Sequence, residues 1–345
     1  MKRIAKSLVS ILTPCYNTAN FVSNLLDSIL AQDYPYIEMF AIDDGSTDNT
    51  REIIQSYISK FRNRGYKLTY IYQENSGQSV AINNGLKLIS GEYLVWPDSD
   101  DYYESTSCIS KMVEALEKSS NEFAMVRTQE QIIDENSKKV LFINGLNAKV
   151  NEESTLFTDC LFSKEGFYFV PGAYMVRTDA LREMTGMSIY TEKHAGQNWQ
   201  IFLPILYKYR CITIKEVLYT VLSRACSHSR GQYNGYEVSL KKFDAYENTI
   251  QGTLDNINGI PPKELAFYKK SISIKYLRIK IIYDFLYNQA IYFEEHLSIL
   301  KNRYKSFTIY DRFLRYSFKI GLNSLPFTRR IVYRIYTRQT NDKFN

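Results

Sequence analysis

The sequence predicts an α/β protein in which a sheet is flanked by helices and followed by an α-helical C-terminal extension. Three observations carry this. Short apolar runs alternate with amphipathic helical stretches through the first hundred residues. Each run ends in a polar cluster, and from about residue 236 the pattern becomes long stripes of Tyr, Lys and Ile at helical spacing.

In chain order, Leu8 to Leu12 reads as a buried strand, and Phe21, Val22, Leu25, Leu26, Ile29 and Leu30 recur at helical spacing up to the Asp33-Tyr34-Pro35 break. Glu38 to Ile42 gives a second strand, followed by the turn Asp43-Asp44-Gly45-Ser46 and a helical face at Ile53, Ile54, Tyr57, Ile58 and Phe61. Leu68 to Tyr72 is a third strand, 79 to 89 a third helix, and Tyr93 to Trp96 a fourth strand entering an Asp-rich turn. Strands and helices alternating in this way predict parallel pairing, with ligands at the carboxyl ends of the strands. The polar clusters fall at those ends, so four turns converge on one crevice.

Beyond residue 105 the alternation fades. A helix from Cys108 to Leu116 leads to strands near 123–128, 140–144 and 167–177, a helix near 198–208 and a strand pair near 211–222. The expected organisation is a donor half at 1–105, an acceptor half of the same domain at 106–235, and a helical, basic extension at 236–345.

The five cysteines are scattered, with no spacing suited to zinc or a disulfide framework, which favours a reducing cytosol. The N-terminal run is broken by Pro14, Asn17, Asn20 and Asp27, so no signal peptide is expected, and no stretch reaches the length of a membrane span. The net charge of +6 conceals an asymmetry: residues 301–345 hold eleven basic side chains against Asp311 and Asp342. A basic tail on a mildly acidic body points to an anionic partner.

The strongest local feature is Asp98-Ser99-Asp100. Two carboxylates two positions apart at a strand end can face one hard cation, Mn2+ or Mg2+, with the intervening Ser99 turned away. Such an ion neutralises charge that grows on a departing diphosphate. An isolated Asp-x-Asp is usually a solvated turn; its place after the fourth strand of an α/β run favours the metal reading.

Four motifs in order then resemble the family 2 glycosyltransferases. They are Val9 to Asn17, Ile42 to Asp48, Asn75 to Ser79 with Asn83 to Leu86, and Gly91-Glu92-Tyr93 leading to Asp98-Ser99-Asp100-Asp101. The resemblance implies a GT-A (Rossmann-like) mixed sheet and inverting transfer from a nucleotide-diphosphate sugar, with a UDP-sugar the expected donor. It implies that Pro14 and Tyr16 line the base pocket, that Asp44 accepts a hydrogen bond from the base, that Asp98 lies near the ribose, and that Asp100 holds the metal. Asp43 reads instead as a turn residue capping the next helix. His228 falls where some members place a histidine on the metal or diphosphate.

The general base departs from the pattern. Family members commonly place an Asp at the start of an acceptor-side helix, where this chain reads Gly196-Gln197-Asn198-Trp199. Asn198 cannot take a proton. Glu192 or His194 upstream, or a substrate phosphate, could do so, or the protein could be slow or inert; Glu192 needs the least rearrangement. Ile82 is a second departure, standing where many members have Arg.

The tail interleaves cations with Phe313, Leu314, Tyr316, Phe318, Ile320, Leu325, Phe327, Ile331 and Val332. Such a segment suits an anionic membrane surface, placing the protein peripherally at the inner face of the cell membrane beside a saccharide or lipid-linked acceptor. No nucleic-acid motif accompanies the charge. Two alternatives stay open. A sugar nucleotidyltransferase would open with a Gly-rich basic loop, which Leu12 to Tyr16 lacks, and a nucleotide-sugar-binding partner protein without catalysis would explain Asn198.

Overall fold

The computed structural model describes residues 7–146, 156–164, 167–193, 198–224 and 235–332. The first three β–α pairs are β1 (Val9–Cys15) with α1 (Val22–Leu30), β2 (Ile37–Asp44) with α2 (Thr50–Arg64), and β3 (Lys67–Gln73) with α3 (Gln78–Leu86). Then come β4 (Tyr93–Val95), β5 (Tyr102–Tyr103), α4 (Cys108–Glu117), β6 (Phe123–Asp134), β7 (Val140–Asn144) and α5 (Phe157–Leu161). The sheet region is completed by β8 (Tyr174–Arg177), α6 (Thr178–Thr185), α7 (Asn198–Lys208) and β9 (Arg210–Ser223). The extension comprises α8 (Tyr236–Asp255), α9 (Pro262–Leu286), α10 (Ala290–Asn302) and α11 (Ile309–Lys319).

The sheet runs β3-β2-β1-β4-β8-β6-β9-β5, with β7 hydrogen-bonded to β6. The first four strands pair in parallel, and β8 runs antiparallel to both β4 and β6, which makes the sheet mixed. Every residue of β1 and β2 is buried, as expected for strands covered on both faces. The covering helices follow from spacing: α2 turns Ile54, Tyr57 and Phe61 inward and ends at Gly65, whose φ of +85° an L side chain would strain.

One expectation fails here. Residues 211–222 are not a strand pair but one long strand, β9, running parallel to β6 with register shifts near Thr128 and Gln129. No turn divides it: the polar Lys215-Glu216 step is the exposed middle of that strand, where Glu216 forms an ion pair with Lys111.

The helical extension shares one continuous core with the sheet region. Asn258 seals the junction: its N–H donates to the Met184 carbonyl at 3.0 Å and its Nδ2 to the Glu183 carbonyl at 2.8 Å, so the turn after α8 closes on the end of α6. Within the extension, buried Asp284 on α9 accepts from Tyr236 Oη on α8 and lies 2.7 Å from His296 Nδ1 on α10, tying three helices together. Among the described residues, no helix is long and apolar enough to cross a membrane.

Candidate active site

Hydrogen bonds between turns that are distant in sequence join the carboxyl ends of β1 to β4. After β1, Tyr16 is 43 % exposed, and Asn17 bonds the next turn twice, its N–H donating to Ser46 Oγ at 3.0 Å and its Oδ1 accepting from Thr47 N at 2.8 Å. Pro14 is buried beside them in β1. At the end of β2, Asp43 accepts from Ser46 N at 2.9 Å and from Tyr70 Oη at 2.6 Å. It therefore holds its own turn rather than capping α2, at whose start Asp48 accepts from Thr50 N.

Asp44 reaches across to the third turn. Its Oδ1 accepts from Gln73 Nε2 at 2.7 Å and Ser76 N at 2.8 Å, and its Oδ2 from Gly77 N at 2.9 Å. A carboxylate has about four lone-pair sites, so three such bonds fix the turn and leave acceptor capacity on Oδ2.

In the turn that follows β4, closed by Asp101 N donating to the Asp98 carbonyl at 3.3 Å, Ser99 and Asp101 are buried, whereas Asp98 and Asp100 are half-buried. Asp98 Oδ1 accepts from Gln78 Nε2 at 2.8 Å, which joins the fourth turn to the first residue of α3. Asp100 forms an ion pair with Arg224, whose guanidinium also lies 4.5 Å from the centre of the Phe21 ring. Beneath them Asp101 accepts from Leu222 N at 3.0 Å, and burial, together with the charges of Asp100 and Asp98, pushes its carboxyl well above the usual range.

This arrangement fits a divalent cation. Asp98 and Asp100 offer hard oxygen donors at the mouth. Among the described residues no group of three His, Cys, Asp or Glu is placed to hold a metal ion by itself. His228 and His194 lie outside the described residues.

Glu192 sits on a segment strapped to α3. Asn83 donates through Nδ2 to the Ile189 carbonyl and accepts through Oδ1 from Ile189 N, both at 2.8 Å. One turn earlier, Ser79 Oγ donates to the Glu192 carbonyl at 3.2 Å and accepts from Glu192 N at 3.0 Å. Two side chains four positions apart thus imitate a strand edge, directly after Gln78. Gly77 gives the passing chain room, since a Cβ there would lie 3.2 Å from Lys193 Cα. From the other side, the Tyr190 ring rests on α8 at Gly252, where a Cβ would lie 2.2 Å from Cε2. The segment bearing Glu192 is held between α3 and α8.

Asn198 begins α7, and its Oδ1 is buried with no hydrogen-bond partner among the described residues. Ile82 is fully buried in the core, so position 82 serves packing. Sequence reasoning missed Gln78, Ser79, Asn83 and Arg224, whose contacts span 20, 113, 106 and 124 positions. Only Gln78, Ser79 and Asn83 had a local sign, as polar residues in the Asn75 to Leu86 motif.

Residues 10–185, half of the chain, match the family model for glycosyl transferase family 2. An uncharacterised glycosyltransferase of Rickettsia typhi is 38% identical over 136 residues, 39% of this chain and 40% of that protein. A Bacillus subtilis glycosyltransferase assigned to teichuronic acid biosynthesis, TuaG, is 38% identical over 114 residues, 33% of this chain and 44% of its own length. The match therefore spans less than half of either relative. Over nearly the whole chain the fold is similar to that of S. aureus TarS in complex with UDP-GlcNAc, with a TM-score of 0.64 and 18% identity over 98% of this chain and 94% of that one.

Proposed function

Because the chain belongs to glycosyl transferase family 2, we propose that it moves a sugar with inversion from a nucleotide-diphosphate donor, a UDP-sugar foremost, to a saccharide or lipid-linked acceptor in surface polysaccharide synthesis. The observation that carries this is the chain of hydrogen bonds linking four strand-end turns, ending in Gln78 on Asp98, beside two half-buried carboxylates. The assignment of TuaG to teichuronic acid synthesis and the UDP-GlcNAc bound to TarS favour this acceptor and donor chemistry.

Tyr16 offers an exposed ring to the base beside Pro14, and Asp44 keeps acceptor capacity for a base N–H. Asp98 and Asp100, with His228 as a further candidate ligand, would hold Mn2+ or Mg2+. That ion would neutralise charge on the leaving diphosphate. The acceptor oxygen attacks the anomeric carbon from the face opposite the phosphate; the new C–O bond forms as the bond to the diphosphate breaks, and Glu192 takes the hydroxyl proton. The basic C-terminal segment meets an anionic membrane surface, which brings the crevice to a lipid-linked acceptor. Asn198 motivates a second reading, a donor-binding protein without transfer.

A panel of nucleotide sugars, incubated with and without divalent cation and assayed for released nucleotide diphosphate, tests this. Release from one donor that requires the cation supports transfer chemistry and excludes the inert reading. Binding without release by any donor would overturn the catalytic proposal.

A further inference from the structure

The end of the helical extension has one face that the fold explains and one that it does not. α11 turns Asp311, Leu314 and Ser317 inward, and Phe318 stacks on Phe293 of α10 with ring centres 4.4 Å apart. Asp311 closes a capping box with Thr308 and forms an ion pair with Arg278, so its charge is satisfied inside. The opposite face carries Ile309, Phe313, Tyr316 and Ile320, which are 83, 49, 64 and 50 % exposed. Their spacing of four, three and four positions makes one continuous stripe along the helix. Phe327, just beyond, is 73 % exposed.

Cations border this stripe. Arg312 and Lys319 on α11 and Arg329 and Arg330 after it are all exposed. Asp311, which is buried, is the one carboxylate in the sequence from residue 303 to 332. We propose that this face docks on the surface of an anionic lipid bilayer, with the aromatic and aliphatic stripe set among the headgroups and the cations on lipid phosphates. The inference rests on the reading of a membrane partner given above and assigns it to particular side chains.

Charge complementarity selects the occupant. A second copy packed symmetrically on the same stripe would bring Arg312, Lys319, Arg329 and Arg330 together with no exposed carboxylate from residues 303–332 to answer them, and Glu294 of α10 is already paired with Arg315. A nucleic acid would use the cations but leave the apolar stripe in water. A bilayer surface uses both, and among the described residues no helix is long and apolar enough to cross it, so the helix lies along the interface.

Flotation with phosphatidylcholine vesicles, with and without phosphatidylglycerol, tests the proposal on the full chain. Binding is expected only to the phosphatidylglycerol vesicles. Replacing Arg312, Lys319, Arg329 and Arg330 together by Gln should lower partitioning by roughly 10²-fold or more, since each surface cation contributes about fivefold. Ile309→Ser with Phe313→Ser and Ile320→Ser should lower it by at least about tenfold. Circular dichroism confirms that the variants fold, and donor hydrolysis in solution should match the parent, which separates failure of docking from failure of the transferase reading. Equal binding to both vesicle types, no binding to either, an oligomer lost with the Ser variant, or binding to an RNA oligonucleotide without vesicle binding would each overturn the proposal.

Discussion

Asn83→Ala should reduce turnover without touching any reacting group. The side chain makes two hydrogen bonds to the backbone of Ile189, both 2.8 Å long, three positions before Glu192. Each such bond contributes about 0.5–1.5 kcal/mol net, so the truncation removes about 1–3 kcal/mol from the seating of the segment. At about 1.4 kcal/mol per decade, the seated population would fall by about 5- to 150-fold if nothing else held it. Ser79 and the Tyr190 ring on Gly252 still do, which places the expected loss in kcat near the low end, about tenfold. Glu192→Gln, measured alongside, sets the floor at about 10²-fold below the parent. The assay is steady-state release of nucleotide diphosphate, with a thermal melt to show that both variants fold. Parental turnover in Asn83→Ala beside a strong loss in Glu192→Gln would refute the strap. Parental turnover in both would remove Glu192 as the base.

Three further outcomes follow from other contacts. Arg224→Gln frees Asp100 from an ion pair, and because hydrogen bonds to charged groups contribute about 1.5–3 kcal/mol, Mn2+ affinity without donor should rise by about tenfold or more in calorimetric titration; unchanged or weaker affinity would show that Arg224 and the cation do not compete. Burial pushes the Glu130 carboxyl up to about 8, with Asn144 and Arg127 opposing the shift, so the folded state binds its proton more tightly than the unfolded chain. Stability should therefore fall as pH rises from about 4.5 to 8, and Glu130→Gln should flatten that slope in urea unfolding; an unchanged slope would contradict it. Gly252→Ala drives a methyl into the Tyr190 ring, an overpacking that costs about 1–3 kcal/mol, and it should lower both the melting temperature and turnover, whereas loss of stability alone would uncouple α8 from the Glu192 segment.

The first three β–α pairs were legible because their signals are local. Apolar runs of strand length, helical faces such as Ile54, Tyr57 and Phe61, and polar residues at each strand end repeat within windows of about fifteen residues. The strands beyond residue 105 were less so, because β9 draws its partners from β5 and β6, far away in sequence, and carries the exposed polar step Lys215-Glu216 in its middle. His296 of α10 meets Asp284 of α9, a contact between helices that the spacing within either helix does not show. The tail shows the same limit: Leu314 and Val332 are buried, while Phe313 and Phe327 lie outside, a division set by packing on α9 and α10 that alternating cations and apolar groups cannot reveal.

The proposed cation-dependent donor site at Asp98 and Asp100 stands or falls on the Asp100→Asn variant. The parent should release nucleotide diphosphate from its preferred nucleotide sugar only when Mn2+ or Mg2+ is present, and Asp100→Asn should lower that rate by about 10²-fold or more with the fold intact by thermal melt. Release that persists in a chelator, or an Asp100→Asn variant as fast as the parent, would contradict the account.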